Sequence, residues 1–311
     1  MTKILVTGAN GFVGSGLCTA LAERGINYAA AVRGNNGPGQ ITVGSLSAKT
    51  DWTQALTGCD AVIHAAARVH VMQDTSSDPL AEFRLVNVEA TINLARQAAD
   101  AGVRRFVFVS SIKVNGEATT DTPFRASDTP APCDPYGQSK LEAENALFAL
   151  SRETGLEVTV VRPPLVYGPG VRANFHNLMK LVAKGLPLPL GSIHNRRSMV
   201  ALDNLVDLLI ACSTHPAAAG QVFLVSDNRD VGITELLRML AAAMGRRNLL
   251  LPVPASWIAT AARLLGKSAA ADRLLGSLQV DITSTCKTMS WQPVISMEKA
   301  LAKTVAPFRH T

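Results

Sequence analysis

Residues 7–14 read TGANGFVG, with glycines at 8, 11 and 14, between the apolar run KILVT and a stretch of helical spacing. A strand that feeds a helix through three spaced glycines is the opening βα turn of a dinucleotide-binding sheet. Gly8 makes the tight turn, Gly11 lets backbone N–H groups approach a pyrophosphate, and Gly14 lets helix and strand pack closely. The helix N-terminus adds a partial positive charge at the same point. Gly8, Gly11, Phe12, Val13 and Gly14 are therefore the expected cofactor loop.

The alternation that begins there continues. INYAAAVR (26–33), AVIHAAA (61–67), RFVFVSS (105–111) and EVTVVRPP (157–164) are strand-like, and helical patterns near 78–101 and 136–153 separate them. Strands apolar along nearly their whole length belong to a parallel sheet covered on both faces. From about Tyr167 prolines and glycines break the rhythm, in YGPG, in GLPLPLG (185–191) and in LLPVP (250–254). Helical patterns near 173–184, 203–213, 232–244 and 255–266 and a strand-like QVFLVS (221–226) follow. The expected fold is α/β: a Rossmann-type doubly wound parallel sheet over 1–166 with a smaller α/β substrate-binding region over 167–311. Segment 199–213 is a candidate to return to the first domain.

The formal charge is +6, but the basic residues are scattered and few aromatics stand among them, so no nucleic-acid surface is expected. Phosphates on a small anionic substrate explain the excess equally well. Five cysteines without a CxxC or clustered histidines point to a reduced, cytoplasmic setting and no metal site. No apolar run is long enough to span a membrane, and Gly8, Gly11 and Gly14 interrupt the N-terminal stretch that mimics a signal peptide.

Tyr136 and Lys140 stand one helical turn apart, so their side chains share a face. A free phenol is a poor base at neutral pH; an adjacent ammonium stabilises the phenolate and turns the pair into a proton shuttle. Ser111 closes the run RFVFVSS at the C-terminal edge of the sheet, where ligands of such sheets bind, and its hydroxyl is placed to hold a substrate oxygen. After the second strand no carboxylate follows to hold the ribose hydroxyls. Arg33 stands there, and a guanidinium suits a 2′-phosphate, which favours NADP(H) while leaving NAD(H) open. Ala65 and Ala66 after the third strand are small enough for a cofactor to lie against backbone.

In this order, glycine loop, strand-end serine and YxxxK helix resemble the short-chain dehydrogenase/reductase superfamily, and the GxxGxxG spacing and length resemble its extended branch. VIHAAA (62–67), VNVEATINLARQA (86–98), DPYGQSK (134–140) and VVRPPLVYGPG (160–170) are similar to nucleotide-sugar epimerases, dehydratases and 4-ketoreductases. The resemblance implies that Asn87 and Pro163 lie at the cofactor and that Asn174, Arg197 and Arg273 hold the diphosphate end of a UDP-sugar. Two departures count. Ile112-Lys113 replace the acidic pair of dehydratases, and Leu165 replaces a sugar-contacting Asn. SSIKVNGE (110–117) is similar to surface-polysaccharide pathway proteins such as those of O-antigen synthesis. The expectation is reduction at C4 of a UDP-4-keto-6-deoxy-N-acetylhexosamine. The alternatives are a UDP-hexose or UDP-N-acetylhexosamine 4-epimerase and, from another class, a non-catalytic NADP(H) sensor. A homodimer is compatible with the chain.

Overall fold

A computed structural model describes residues 2–34, 37, 39–69, 78–266 and 268–308. Its main sheet is parallel and seven-stranded: β1 (Lys3–Thr7), β2 (Asn27–Val32), β3 (Gln40–Thr42), β4 (Ala61–His64), β5 (Arg105–Val109), β6 (Glu157–Arg162) and, far along the chain, β9 (Val222–Leu224). The spatial order is β3-β2-β1-β4-β5-β6-β9. The chain therefore winds outward one way from β1 and then the other way from β4. β1 and β4 are thus the point where the winding reverses, the place at which ligands of such sheets bind. β4 is buried along its whole length, as a central strand with helices on both faces must be.

One face of the sheet is covered by Phe12–Glu23 together with Leu202–Thr214, which packs against that helix, β4 and β5. The core on this side joins Ile4, Val6, Leu17 and Leu21 to Leu205, Leu209 and Phe223, so it unites residues some 200 positions apart. The other face carries Ala90–Asp100 and Pro135–Thr154, which bury Leu94, Ala98 and Leu147 against Phe106 and Phe108.

Outside the main sheet the chain builds a second one from β7 (Leu165–Tyr167) and β8 (Arg197–Ala201), which lie between β6 and β9, and β10 (Asp230–Val231), which follows β9, in the order β10-β8-β7. A separate core of Tyr167, Phe175, Met199, Leu237 and Leu301 lies behind it. A strap at 277–281 joins the layers. Ser198 N donates to Leu278 O at 2.8 Å, Phe124 N to Gln279 O at 2.8 Å and Asp281 N to Phe124 O at 2.9 Å.

The parallel, doubly wound sheet is as the sequence pattern indicates. Four strands, β3, β7, β8 and β10, fall outside the strands read from it. They have two to five residues each, too few to display a period. The helical pattern at 78–101 is interrupted by a wide turn at Leu85–Glu89 that carries Asn87 inward.

Candidate active site

The glycine loop is built around close backbone contact. Gly8 adopts φ +66°, and a Cβ on it would lie 2.9 Å from the Ala66 Cα. A Cβ on Gly14 would lie 2.0 Å from the Gly8 carbonyl oxygen, so only glycine lets the helix meet the strand here. Gly11 closes the turn with its N–H on Gly8 O at 2.8 Å and starts the helix with no side-chain cap and no acidic residue in the first turn. Phe12 and Val13, both half-buried, open that helix. An uncapped N-terminus behind a side-chain-free cradle fits a pyrophosphate. Arg33 is exposed directly after β2, the strand beside β1.

Ala65 and Ala66, both half-buried, leave β4 alongside the loop. They are held by polar groups that the sequence reading did not single out. Thr7 Oγ1 accepts from Ala66 N at 3.3 Å and lies 2.7 Å from His64 Nδ1, whose Nε2 lies 3.0 Å from Thr91 Oγ1. Burial, reinforced by the charge of Lys140, depresses the His64 pKa to about 3, so the ring is neutral. Asn87, fully buried, brackets the end of this segment. Its Oδ1 accepts from Arg68 N at 2.9 Å, while its Nδ2 donates to Arg68 O at 3.1 Å and to Ser139 Oγ at 3.0 Å. Asn87 thus ties the β4 loop to the helix that carries Tyr136.

That helix, Pro135–Thr154, begins with Asp134 capping Gly137 N at 2.7 Å and Pro135 in the first turn, and ends at Gly155 with φ 78°. Tyr136 and Lys140 project from one face. The phenol lies beside the Ser111 hydroxyl and packs edge-on to Phe83 at 5.9 Å. Burial and the nearby Asp134 carboxylate push its pKa up to about 12, with the Ser111 hydroxyl opposing them. Lys140 is buried, donates to Val109 O at 2.8 Å and lies 4.3 Å from the centre of the Phe108 ring. Desolvation lowers its pKa to about 7, against the pull of Glu144. Ser111, Tyr136 and Lys140 therefore converge at the end of β5, two strands from the glycine loop.

A buried network braces this convergence. Ser110 Oγ donates to Glu144 Oε1, and Arg162 grips both Glu144 oxygens, with Nη2 2.5 Å from Oε2. Arg162 Nη1 also donates to Asn115 Oδ1 at 3.0 Å. Glu144 lies one turn beyond Lys140, and Ser110 precedes Ser111. Their spacing was visible in the sequence, but nothing there gave Glu144 a partner. Pro163, buried just past β6, accepts from Ile112 N at 3.0 Å and fixes the turn after Ser111. Ile112 is buried, and the Lys113 ammonium is taken up by Glu117 and Asp134. This turn thus offers no free acid or base for removing water from a substrate.

Among the residues expected at a substrate, Arg197 begins β8 and donates through Nη1 to the Arg273 and Gly276 carbonyls at 2.5 and 3.1 Å. Those bonds bring Arg197 and Arg273 together. Burial lowers the Arg197 pKa, and the bonds its guanidinium makes among the described residues go to carbonyls. Asn174 is exposed in the first turn of Ala173–Ala183. Two cavities, of about 560 and 310 Å³, are lined by other residues, the larger by Asn195, Arg196, Thr234 and Arg238. Among the described residues no cluster of His, Cys, Asp or Glu could hold a metal ion, and no helix is long and apolar enough to cross a membrane.

Comparison with known proteins agrees with this architecture. UDP-glucose 4-epimerase of Vibrio cholerae is 47% identical over 98% of this chain and 95% of its own length. An Escherichia coli O157:H7 protein, N-acetyl-alpha-D-glucosaminyl-diphospho-ditrans,octacis-undecaprenol 4-epimerase, is 29% identical over 81% of this chain and 76% of its own. The crystal structure of UDP-N-acetylglucosamine 4-epimerase from Bacillus cereus shares the fold with a TM-score of 0.80, covering 99% of this chain and all of that one at 20% identity. The pattern of one family spans residues 4–226, from the first strand through the glycine loop, the Ser111–Tyr136–Lys140 cluster and β9. The chain belongs to the NAD dependent epimerase/dehydratase family and takes a nicotinamide dinucleotide as its cofactor.

Proposed function

We propose that this enzyme interconverts the C4 epimers of a UDP-hexose or UDP-N-acetylhexosamine in the cytoplasm, with Ser111, Tyr136 and Lys140 as its catalytic residues. The observation that carries the proposal is the 47% identity with the Vibrio cholerae UDP-glucose 4-epimerase over 98% of the chain, which takes in the substrate region as well as the cofactor loop.

When bound, the nicotinamide supplies the acceptor and donor of the C4 hydride. The protein's own residues manage the proton. Ser111 donates a hydrogen bond to the C4 oxygen, and Tyr136 takes the proton as the oxygen becomes a carbonyl and returns it afterwards. A phenol with a pKa of about 12 stays protonated at neutral pH and cannot accept a proton until positive charge beside it lowers that pKa. Lys140 on the same helix face supplies that charge when it is protonated. Its own pKa of about 7 puts the ammonium near balance at neutral pH. Arg197 and Arg273 hold the diphosphate: a desolvated guanidinium that bonds only carbonyls regains favourable electrostatics when a phosphate arrives. Asn174 flanks them. Gly8, Gly11, Phe12, Val13, Gly14, Arg33, Ala65, Ala66 and Pro163 surround the dinucleotide, with Asn87 securing the β4 loop.

A second reading, net reduction of a UDP-4-keto-6-deoxy-N-acetylhexosamine, is favoured by Arg33 after β2 and by Leu165, which is 44% exposed at the start of β7. One experiment separates the two. Purified protein is incubated with UDP-glucose or UDP-N-acetylglucosamine without added cofactor, and products are resolved by NMR; NADPH oxidation against a 4-keto UDP-sugar is followed in parallel. Epimer formation without NADPH consumption is expected. Stoichiometric NADPH oxidation with no epimer formed would replace the epimerase with the reductase.

A further inference from the structure

The helix Ala255–Leu264 buries none of its residues. Trp257 is 71% exposed, Leu264 84% and Leu265, the residue that ends the helix, 72%. With Ala261 they follow the spacing i, i+4, i+7, i+8, so they form one apolar stripe turned toward solvent. Ile258 packs against the second core and anchors the helix. In the segment leading into it, Leu250 packs inward while Leu249 and Leu251 are each about half exposed. Soluble proteins expose apolar residues singly; a dense run marks an interaction surface. A ten-residue helix is also marginal without a surface to lie on.

The charge around the stripe identifies that surface. Residues 246–275 contain five cations, Arg246, Arg247, Arg263, Lys267 and Arg273, against one acid, Asp272. Four of the chain's six net positive charges thus fall in this stretch, and residues 248–271 contain no carboxylate. Arg246, Arg247 and Arg263 are exposed. A second copy of the chain would bring the same positive rim against itself. An anionic lipid surface accepts both components: headgroups attract the arginines, and the interface accommodates a tryptophan and leucines.

We propose that the 249–251 segment and the helix Ala255–Leu264 dock the enzyme on an anionic membrane surface, without crossing it. The helix packs against Ser268–Leu275, the helix that bears Arg273, so docking holds the substrate side of the enzyme near the lipid. The inference does not depend on whether the enzyme epimerises or reduces.

The test uses the full-length protein and vesicles of phosphatidylcholine, alone or mixed equally with phosphatidylglycerol. Trp52 and Trp291 are buried, so a change in tryptophan emission reports Trp257. Expected are co-flotation with the anionic vesicles, a blue shift on binding, and weakening of both at high salt. Trp257→Ser with Leu264→Ser, and separately Arg246→Gln with Arg247→Gln, should each weaken vesicle binding about tenfold or more, with unchanged circular dichroism and turnover of soluble substrate. Absence of binding to anionic vesicles, or binding by either double variant as tight as that of the wild type, overturns the proposal. So does a concentration-dependent dimer that Trp257→Ser with Leu264→Ser dissolves, which would make the stripe a contact between copies.

Discussion

At residue 136 the phenol proposed to move a proton lies next to the Ser111 hydroxyl. Tyr136→Phe removes that oxygen and nothing else, so turnover should vanish while the fold and dinucleotide affinity persist; substantial residual activity would remove Tyr136 from the chemistry. Ser111→Ala should cost about 10²-fold in kcat, the usual loss of one polarising donor. Arg33, exposed directly after β2, is proposed to meet a 2′-phosphate. Arg33→Asp should weaken NADPH more than NADH in a titration of both, and equal effects would show that Arg33 takes no part in cofactor choice. His64 makes a prediction about pH. Its native pKa of about 3 lies below the ordinary 6.5, so above pH 6.5 the ring is neutral in folded and unfolded chains alike. As pH falls from 6.5 toward 3 the unfolded chain gains a proton that the native state refuses, and stability drops by up to about 1.4 kcal/mol per pH unit. Urea melts between pH 7 and 4.5 should show a shallower loss in His64→Gln than in the wild type; parallel curves would show that this ring charges without penalty.

Among the elements, the helix Pro135–Thr154 matters most, because it carries Tyr136 and Lys140 and is fixed to the sheet by a buried ion pair. Glu144 and Arg162 are each almost fully buried, and each also bonds a neutral partner, Ser110 or Asn115. Glu144→Gln leaves the guanidinium desolvated without its counter-charge, which should destabilise the protein by about 3–5 kcal/mol in denaturant titration. A change below 1 kcal/mol would mean that water compensates freely. The helix itself was legible in the sequence through DPYGQSK, and so was the loop at 7–14, because glycines at fixed steps admit few other conformations. The brace was not. Glu144 reads as one more polar position until Arg162, at the end of another strand, is brought against it. Thr7, His64 and Thr91 escaped notice for the same reason: three residues that meet only when β1, β4 and a helix pack carry no local pattern. Asn87 showed as part of VNVEATINLARQA, but the bonds that commit it to Arg68 and Ser139 depend on the wide turn at Leu85–Glu89.

On the scale of the whole molecule, a division at residue 166 cuts the sequence where its rhythm changes, yet the packing crosses that point twice. The helix Leu202–Thr214 covers one face of the main sheet, and β9 pairs with β6 at its edge. Leu205, Val206, Leu208, Leu209 and Phe223 share a core with Ile4, Val6, Leu17 and Leu21. A fragment ending at 166 would expose that face of β4 and β5 and lose the strand that completes the sheet. Full burial of one leucine or phenylalanine contributes about 1.5–3 kcal/mol, and a domain's net stability is only about 5–15 kcal/mol. Loss of these five side chains from the core is therefore enough to unfold it. Residues 1–166 expressed alone should be insoluble or molten, with no cooperative melt and no dinucleotide binding. The intact chain should unfold in one transition, with tryptophan fluorescence, dominated in its change by the buried Trp52 and Trp291, and far-UV circular dichroism tracing the same curve in urea. A folded, dinucleotide-binding 1–166 fragment, or two separated transitions in the full chain, would show instead that the first layer is self-sufficient and that helix 202–214 merely rests on it.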